Sequence, residues 1–268
     1  MKLGIGLSLT RQRILGSAFS PSDISNLDLW YDFSTLTGSD GDAITSFANG
    51  GNAGSDYNLG QSDAGKKPTL ETGDMALNSV KFDNSDDRLN LDNVYVTTGQ
   101  TFTFFVVFET GQSGSDVFFG GTASDNDQNI ISLAGANGVA IQTRFTGTSG
   151  GSANNLVTTK TDGTESGGTN GDANYTFREN TPEIMVMTRA DDEEMRFYNH
   201  NGDLICTEDS ATNNNSDTNF RVATVGADGD GGGAHEGTIG EIGLYNKVLT
   251  STEISDLITH LKDKWSVS

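Results

Sequence analysis

Two Asp-rich loops are the part of the sequence best suited to bind a metal ion, because their carboxylates are spaced two residues apart. One loop contains Asp125 and Asp127, and the other contains Asp228 and Asp230 among glycines. Such loops suit Ca²⁺, which takes about six to eight oxygen ligands. The first loop departs from the EF-hand pattern, since Ile130 stands where glycine is needed. No cofactor is certain, and calcium is the candidate; the alternative is that each Asp stabilises a turn.

Zinc is a poor fit to the sequence. His200, His235 and His260 are far apart, and Cys206 is the single cysteine. Structural zinc sites need several closely spaced Cys or His ligands. The same cysteine count excludes a disulfide framework.

Catalytic carboxylates are also sparse. Glu193 and Glu194 are adjacent, and Glu236 and Glu241 are five residues apart, so each pair should face opposite sides of a strand. A retaining glycoside hydrolase needs two carboxyl groups facing each other at about 5 Å. Neither a P-loop nor a G-x-S-x-G nucleophile motif is present. We predict that the protein is not an enzyme and that Glu241 is a structural carboxylate.

The net charge excludes two classes of partner. The chain has 37 Asp and Glu against 16 Lys and Arg, which gives a formal charge of −21. Nucleic acid and anionic membranes attract positive charge, so an acidic protein is a poor partner for either. Apolar runs are also far shorter than the ~20 residues of a membrane helix.

The first 20 residues differ from the rest in charge, since they contain three basic residues and no acid. Apolar residues alternate there with small ones, which is the period of a β-strand. We expect residues 1–20 to form an extended arm that docks on another subunit, through a sheet edge and charge-assisted contacts. Packing against its own chain is the alternative. The expected docking residues are Leu3, Ile5, Leu7, Leu9, Arg11 and Arg13.

Residues 21–268 have the pattern of one all-β domain. The segment 101–108 is apolar on both alternating faces, which indicates a central strand covered on both sides. Short apolar segments ending in Gly-rich turns, with no alternating helices, indicate a sandwich or jelly roll. Trp30 is expected to be a buried anchor of the first strand. The expected strands are 24–33, 79–82, 101–108, 117–119, 130–133, 139–145, 183–189, 194–199, 204–207, 221–225 and 238–245.

One helix is predicted, at the C-terminus. Thr250 and Glu253 form a capping box. Apolar residues then recur at helical spacing, and we expect their face to pack on the sandwich; a partner surface is the alternative. These residues are Ile254, Leu257, Ile258, Leu261 and Trp265.

Two polar, aperiodic segments, 148–176 and 208–219, are predicted to be loops that could present a ligand-binding surface. Sugar-binding sites also need an aromatic side chain on which a sugar ring can stack. Tyr57, Tyr175 and Tyr198 are candidates, with a core or rim position as the alternative for each.

Two phrases carry a family resemblance. The segment FDNSDDRL at 82–89 precedes the aromatic strand. The segment 239–253 contains IGEI, then a tyrosine and then LT-x-x-E, and it leads into the final helix. With LWYDFS near the start, they resemble the concanavalin A-like or laminin-G-like jelly rolls of bacteriophage structural proteins. The resemblance covers residues 24–265. It implies a concanavalin A-like jelly-roll β-sandwich over 21–268, with one C-terminal helix, after the extended arm.

The same resemblance implies a non-enzymatic protein of the virion, either a capsid decoration or fibre, or a tail-associated adhesion protein. Its partners would be other capsid or tail subunits, and it would be a homo-oligomer on the particle. The alternative is a lectin module that binds a host-surface glycan, assisted by calcium. A glycoside hydrolase is the least favoured function.

Overall fold

The computed structural model describes residues 19–98, 101–111, 117–119, 128–132, 141–146, 155–160, 165–166, 178, 180–190, 195–208, 221–227 and 233–268. Short 3-10 turns occur at Pro21–Asp23, Phe33–Thr35, Ser55–Tyr57 and Ala64–Lys66. The strands and the helix of these residues are β1 (Leu27–Asp32), β2 (Ser46–Phe47), β3 (Leu59–Gly60), β4 (Thr69–Glu71), β5 (Ser79–Asp83), β6 (Leu89–Val96), β7 (Phe102–Thr110), β8 (Val117–Phe119), β9 (Gln128–Ser132), β10 (Ile141–Thr146), β11 (Asn155–Lys160), β12 (Glu165–Ser166), β13 (Glu183–Arg189), β14 (Met195–Tyr198), β15 (Leu204–Glu208), β16 (Arg221–Val225), β17 (Glu236–Tyr245) and α1 (Ser251–Trp265).

The strands form two sheets. Sheet A has the order β15-β14-β13-β7-β17-β5-β4, and β1 also pairs with β17. Sheet B has the order β12-β11-β10-β8-β9-β16-β6-β3-β2. Pairing is antiparallel except between β8 and β9, among the strands that the structure describes. The predicted all-β sandwich with one C-terminal helix is confirmed.

Strand β7 lies at the centre of sheet A, between β13 and β17, and every one of its residues is buried. Phe104, Val106 and Phe108 face sheet B and belong to the main core. Phe105 and Val107 point the other way, into a second core beneath α1. Strand β7 is therefore covered on both faces, as the apolar run predicted.

Helix α1 covers part of the outer face of sheet A. Thr250 Oγ1 accepts a hydrogen bond from the Glu253 amide at 3.2 Å, and Glu253 Oε2 accepts one from the Thr250 amide at 2.8 Å, which completes the predicted capping box. The five apolar residues of the predicted face are all buried in the second core. Among the described residues, no helix combines the length and the apolar character needed to cross a membrane.

Three expectations about burial and secondary structure are wrong in detail. Trp30 is half-buried rather than a buried anchor, and the neighbouring Tyr31 is the fully buried aromatic residue of β1. Strands β2, β3, β4 and β6 were not predicted, because the first three are only two or three residues long and the middle of β6 carries exposed polar residues. The segment 148–176 was predicted to be a loop, but it contains β11 and β12.

Candidate functional site

The sites chosen from the sequence fall outside the described residues, so they stay predictions. These residues are Leu3, Ile5, Leu7, Leu9, Arg11 and Arg13 of the arm, and Asp125, Asp127, Asp228 and Asp230 of the calcium loops. Tyr175, Glu193 and Glu194 also lie outside. In the part of the chain that the structure describes, no group of three or more His, Cys, Asp or Glu side chains is arranged to hold a metal ion.

A groove of about 360 Å³ lies between α1 and the loop that follows β14; we call it the helix groove. Its apolar lining comes from Ile254 and Ile258 of α1, which are buried, and from Tyr198 at the end of β14, which is half-buried. The rest of the lining is polar or small. It consists of Asn201, Gly202, Ser251, Ser255, Thr259 and Lys262.

The polar residues of the helix groove share one edge of α1. Ser251, Ser255 and Thr259 are spaced four residues apart, and this spacing places them on one side of a helix. They border the stripe that contains Ile254 and Ile258. The edge therefore presents hydroxyl groups beside apolar surface, which is the mixture that a polar ring with one apolar face can contact.

The loop opposite α1 is fixed by its own hydrogen bonds. Asn199 Oδ1 accepts from the amides of Asn201 at 2.9 Å and Asp203 at 3.0 Å. Gly202 has a φ of +78°, a conformation that favours glycine. Lys262 Nζ donates to Asn201 Oδ1 at 3.0 Å and thereby connects the helix to the loop. The loop and the helix that carry the polar groups of the helix groove are thus both fixed in position.

Tyr57 is half-buried, packs against the main core and does not line the helix groove. Its ring packs edge-on against Tyr95 at 5.3 Å, and its carbonyl oxygen accepts a hydrogen bond from the Tyr31 hydroxyl at 2.6 Å. Of the three tyrosines proposed for sugar stacking, Tyr198 borders the helix groove. Sequence alone could not choose among them, because the groove needs α1 and the β14 loop to meet.

A second cavity, of about 300 Å³, lies on the same outer face of sheet A; we call it the acidic cleft. Thr238 of β17 pairs with Glu109 of β7 on one side and Lys81 of β5 on the other, so these side chains form a row across the sheet. Both Glu109 and Lys81 line the cleft. The other charged residues in its lining are Asp74, Asp83 and Glu236.

Lys81 is already paired within the acidic cleft. Its Nζ donates to Asp74 Oδ2 at 2.8 Å and to Glu71 Oε2 at 3.1 Å. These hydrogen bonds, Asp74 first, raise the pKa of Lys81 to about 12. Two carboxylates other than Glu109 therefore already pair with the positive charge of Lys81.

Glu109 lacks a comparable partner. Its side chain is 8% exposed, and no residue in the described ranges donates a hydrogen bond to its carboxylate. Burial, followed by the negative charge of Asp74, raises the pKa of Glu109 above its ordinary value. A buried carboxyl without a donor is costly to ionise.

The turn after β5 contains a second carboxyl group with a raised pKa. Burial, then the charges of Asp83 and Asp86, raise the pKa of Asp87 to about 7. Asp83 also lines the acidic cleft, opposite Glu236 in the β5–β17 register. The negative charges of Asp83 and Asp86 therefore oppose ionisation of Asp87.

Glu241 is a structural carboxylate, as the sequence predicted. It is fully buried and accepts hydrogen bonds from Trp30 Nε1 at 2.8 Å, Trp265 Nε1 at 2.9 Å and Lys264 Nζ at 2.7 Å. Lys264 Nζ also pairs with Asp32 Oδ1 at 2.6 Å. This network fixes the end of α1 to β17 and β1.

The expected opposite orientation of Glu236 and Glu241 is wrong. The register of β17 against β7 shifts between Ile239 and Glu241, which is the signature of a β-bulge at Gly240. A shift of one residue reverses which way later side chains point. Glu236 and Glu241 consequently both lie on the outer face of sheet A, one in the acidic cleft and the other beneath α1.

Comparisons with known proteins agree on the fold. No protein-family model and no curated protein matches the chain. Among solved structures, the binding domain of Paraclostridial mosquitocidal protein 1 matches at TM-score 0.53 and 11% identity, over 87% of this chain and 52% of that one. The botulinum neurotoxin serotype D ligand-binding domain in complex with N-acetylneuraminic acid matches at 0.51 and 11%, over 87% and 50%.

Trypanosoma rangeli sialidase also matches, at TM-score 0.48 and 11% identity, over 91% of this chain and 34% of that one. This likeness is too low to carry an argument about catalysis. The chain spans between a third and about half of these three structures. The fold and the neighbours together show that the protein is a jelly-roll-like β-sandwich.

Proposed function

We propose that the protein is a non-catalytic carbohydrate-binding β-sandwich and that the helix groove is its ligand site. The observation that carries the proposal is the groove's lining, where Tyr198 and two isoleucines stand beside hydroxyl, amide and ammonium groups. A sugar ring has apolar C–H faces and a hydroxyl rim. It can pack against an aromatic ring while its hydroxyls exchange hydrogen bonds with such groups.

Size and rigidity support the same proposal. A cavity of about 360 Å³ is at the lower end of ligand pockets, which suits one or two sugar rings. The hydrogen bonds of the β14 loop hold Asn201 in place, so less conformational freedom is lost on binding. A domain of the same fold, that of botulinum neurotoxin serotype D, has been crystallised with N-acetylneuraminic acid.

Lys262 favours an acidic sugar over a neutral one. Its ammonium group lies in the groove of a protein whose net charge is −21, and it can form a charge-assisted hydrogen bond to a sugar carboxylate. We therefore propose a sialic acid or uronic acid residue as the ligand class. The charge of the whole protein would otherwise repel such a sugar.

A glycan array followed by titration of the best ligand tests the proposal. Tyr198→Ala should weaken binding by about tenfold or more, which corresponds to ~1.4 kcal/mol. Tyr198→Phe keeps the ring and should retain most of the affinity, and Lys262→Gln should reduce the preference for acidic over neutral glycans. Equal affinity of Tyr198→Ala and the unmodified protein would contradict the proposal, as would an array with no binding. Loss of binding in EDTA would indicate that calcium is part of the site.

The absence of catalysis is part of this proposal. Its support is that Glu241 is occupied by two indoles and Lys264, which leaves it no free face for a substrate. We expect no release of reducing ends from the glycans that bind. Turnover well above background that is lost in Glu109→Gln or Glu236→Gln would show a hydrolase instead.

We also propose that the protein is a component of a bacteriophage particle, as a capsid decoration, fibre or tail-associated adhesion protein. The observation favouring this is the resemblance across residues 24–265, together with the basic arm before it. Glycan binding and virion adhesion are compatible, since adhesion proteins bind host surfaces. Density for this fold beside capsid or tail subunits in a particle reconstruction would support the proposal, and particles lacking the protein would contradict it.

A further inference from the structure

The acidic cleft has no role in the proposed glycan site, yet five charged side chains line it. Asp74, Asp83, Glu109 and Glu236 line it, and Lys81 is the cation among them. Glu109 is more than nine-tenths buried, borders the cavity and accepts no hydrogen bond from the described residues. A cationic ligand would supply the missing donor.

The arrangement of the carboxylates favours an extended ligand over a metal ion. The four acidic residues come from β5, β7, β17 and the loop after β4, and no three of them converge in the way a metal site requires. Calcium would need its oxygen ligands around one point. A chain segment carrying separate positive charges can instead contact carboxylates at several points along the cleft.

We propose that the acidic cleft binds residues 1–18 of the same chain, with Arg11 and Arg13 placed among its carboxylates. The segment is basic and contains no acid, whereas the rest of the chain carries the whole negative excess. Arginine suits this position because its planar guanidinium can contact two carboxylates at once and stays charged when partly buried. The proposal concerns the isolated protein and does not depend on the glycan site.

The position where the segment enters the fold supports an intramolecular contact. Phe19 packs against His260 of α1 with ring centroids 5.7 Å apart, and the Tyr245 hydroxyl donates to the Pro21 carbonyl at 2.9 Å. The chain therefore arrives on the outer face of sheet A, the face that contains the acidic cleft. A contact on this face needs no passage across the sandwich.

The length of the segment is sufficient. Tyr245 and Thr238 are seven residues apart on β17, which corresponds to about 23 Å along a strand. Arg11 lies eight residues before Phe19, and an extended chain of that length reaches about 27 Å. Arg13 lies six residues before Phe19, where the chain reaches about 20 Å and the long arginine side chain covers the remainder. A short tether also gives a local concentration on the order of millimolar, which favours the chain's own cleft over that of a second copy.

Electrostatics point the same way. Burial, followed by the charge of Asp74, raises the pKa of Glu109 and so disfavours its ionised form. A guanidinium at that point would stabilise the ionised form and relieve the repulsion from Asp74. The contact should weaken as salt increases, because part of the cleft is open to solvent.

Paramagnetic relaxation in the full-length chain tests the proposal. A spin label is placed at Gln12→Cys in a Cys206→Ser background, and amide signals are recorded from ¹⁵N-labelled protein at low salt. We expect loss of intensity at residues 109–111 and 236–238, and recovery in strong salt. Recovery is also expected in Arg11→Gln/Arg13→Gln and in Glu109→Gln/Asp83→Asn, but not in Asp256→Asn, which removes an exposed charge on α1.

A mixed sample separates the chain's own cleft from that of a second copy. Spin-labelled protein without ¹⁵N is combined with ¹⁵N-labelled protein without the spin label. Loss of intensity at the cleft in this mixture, equal to that in the doubly labelled chain, would mean docking between copies and would overturn the proposal. Unchanged cleft signals in the doubly labelled chain would overturn it as well.

Discussion

Glu241 and Glu109 are buried carboxylates on the same face of sheet A, but their surroundings are opposite. Glu241 accepts three hydrogen bonds, from two indoles and an ammonium group. Glu109 accepts none from the described residues, and its pKa is raised, chiefly by burial. The difference lies in α1, which supplies Trp265 and Lys264 as hydrogen-bond donors to Glu241.

The comparison separates a structural region of this face from one that is available to a ligand. A buried charge stabilises a fold when it is fully hydrogen-bonded, and it is costly when it is not. The network around Glu241 connects α1, β17 and β1, and its role is structural. The cleft around Glu109 leaves an electrostatic cost that a cation could remove.

Truncation after Lys247 should have the largest effect. It removes α1 and exposes the second core, with the loss of five buried side chains at ~1.5–3 kcal/mol each. Domains are stable by only ~5–15 kcal/mol, so we expect the truncated chain to aggregate or to lack cooperative unfolding. A soluble truncated protein with a sharp thermal transition would show that the helix-covered region is not structural.

Glu241→Ala should destabilise the fold by about 3–5 kcal/mol, because it leaves an ammonium group and two indole N–H groups unpaired in a buried site. Urea unfolding followed by tryptophan fluorescence measures the change, since both tryptophans contact Glu241. The matched variant is Glu109→Ala on the same face. If the two substitutions cost the same, the proposed contrast between the regions is wrong.

Asp87→Asn should stabilise the protein in a way that depends on pH. The ordinary pKa of Asp87 is 3.8 and the folded-state pKa is about 7, so the folded state binds more protons between these values. Stability contributed by the protonated carboxyl is therefore present below about pH 4 and is lost as the pH rises towards 7. We expect a gain of roughly 1 kcal/mol for the variant at pH 8 and little at pH 4.

Unfolding of Asp87→Asn and the control Asp86→Asn at both pH values gives the comparison. The half-buried Asp86 serves as a charge-matched neighbour. An equal gain at pH 4 and pH 8 would mean that the effect of Asp87 is not one of ionisation.

Glu109→Gln, made in the Arg11→Gln/Arg13→Gln chain so that the proposed guanidinium contact is absent, should have the smallest effect on stability, a gain of up to ~1 kcal/mol near pH 8. The amide removes a charge whose ionisation burial disfavours, and it takes nearly the same volume. The linkage has the same sign as for Asp87, so the gain should shrink as the pH falls and Glu109 becomes protonated. A loss of several kcal/mol in that chain would mean that another part of the folded protein donates to Glu109.

The sequence was sufficient for the features that depend on local pattern. The apolar run of β7 and the capping box of α1 each predicted the correct element with its buried face. The bulge at Gly240 could not be predicted, because an alternating pattern does not show where the register shifts, and one residue reverses every later side chain. Counting residues between Glu236 and Glu241 therefore gave the wrong face.

Neither cavity could be predicted from the sequence, because each is formed by segments that are far apart in the chain. The helix groove needs α1 to meet a loop some 50 residues earlier in the chain, and the acidic cleft joins four separate segments. The four-residue spacing of Ser251, Ser255 and Thr259 was the one local signal of the helix groove. Charge counting showed an acidic chain but could not show where its carboxylates gather.

The position of β17 in sheet A has a consequence for how the protein folds. This strand lies beside β7 on one edge and beside β5 and β1 on the other, and it pairs Tyr245 with Leu27. The middle of the sheet is thus a strand that is synthesised after its three partners. Contacts so distant in sequence form slowly, and until they form the edges of β5 and β7 are exposed to other chains. We expect folding to be a late, all-or-none event that begins once β17 is available, with aggregation as its main competitor.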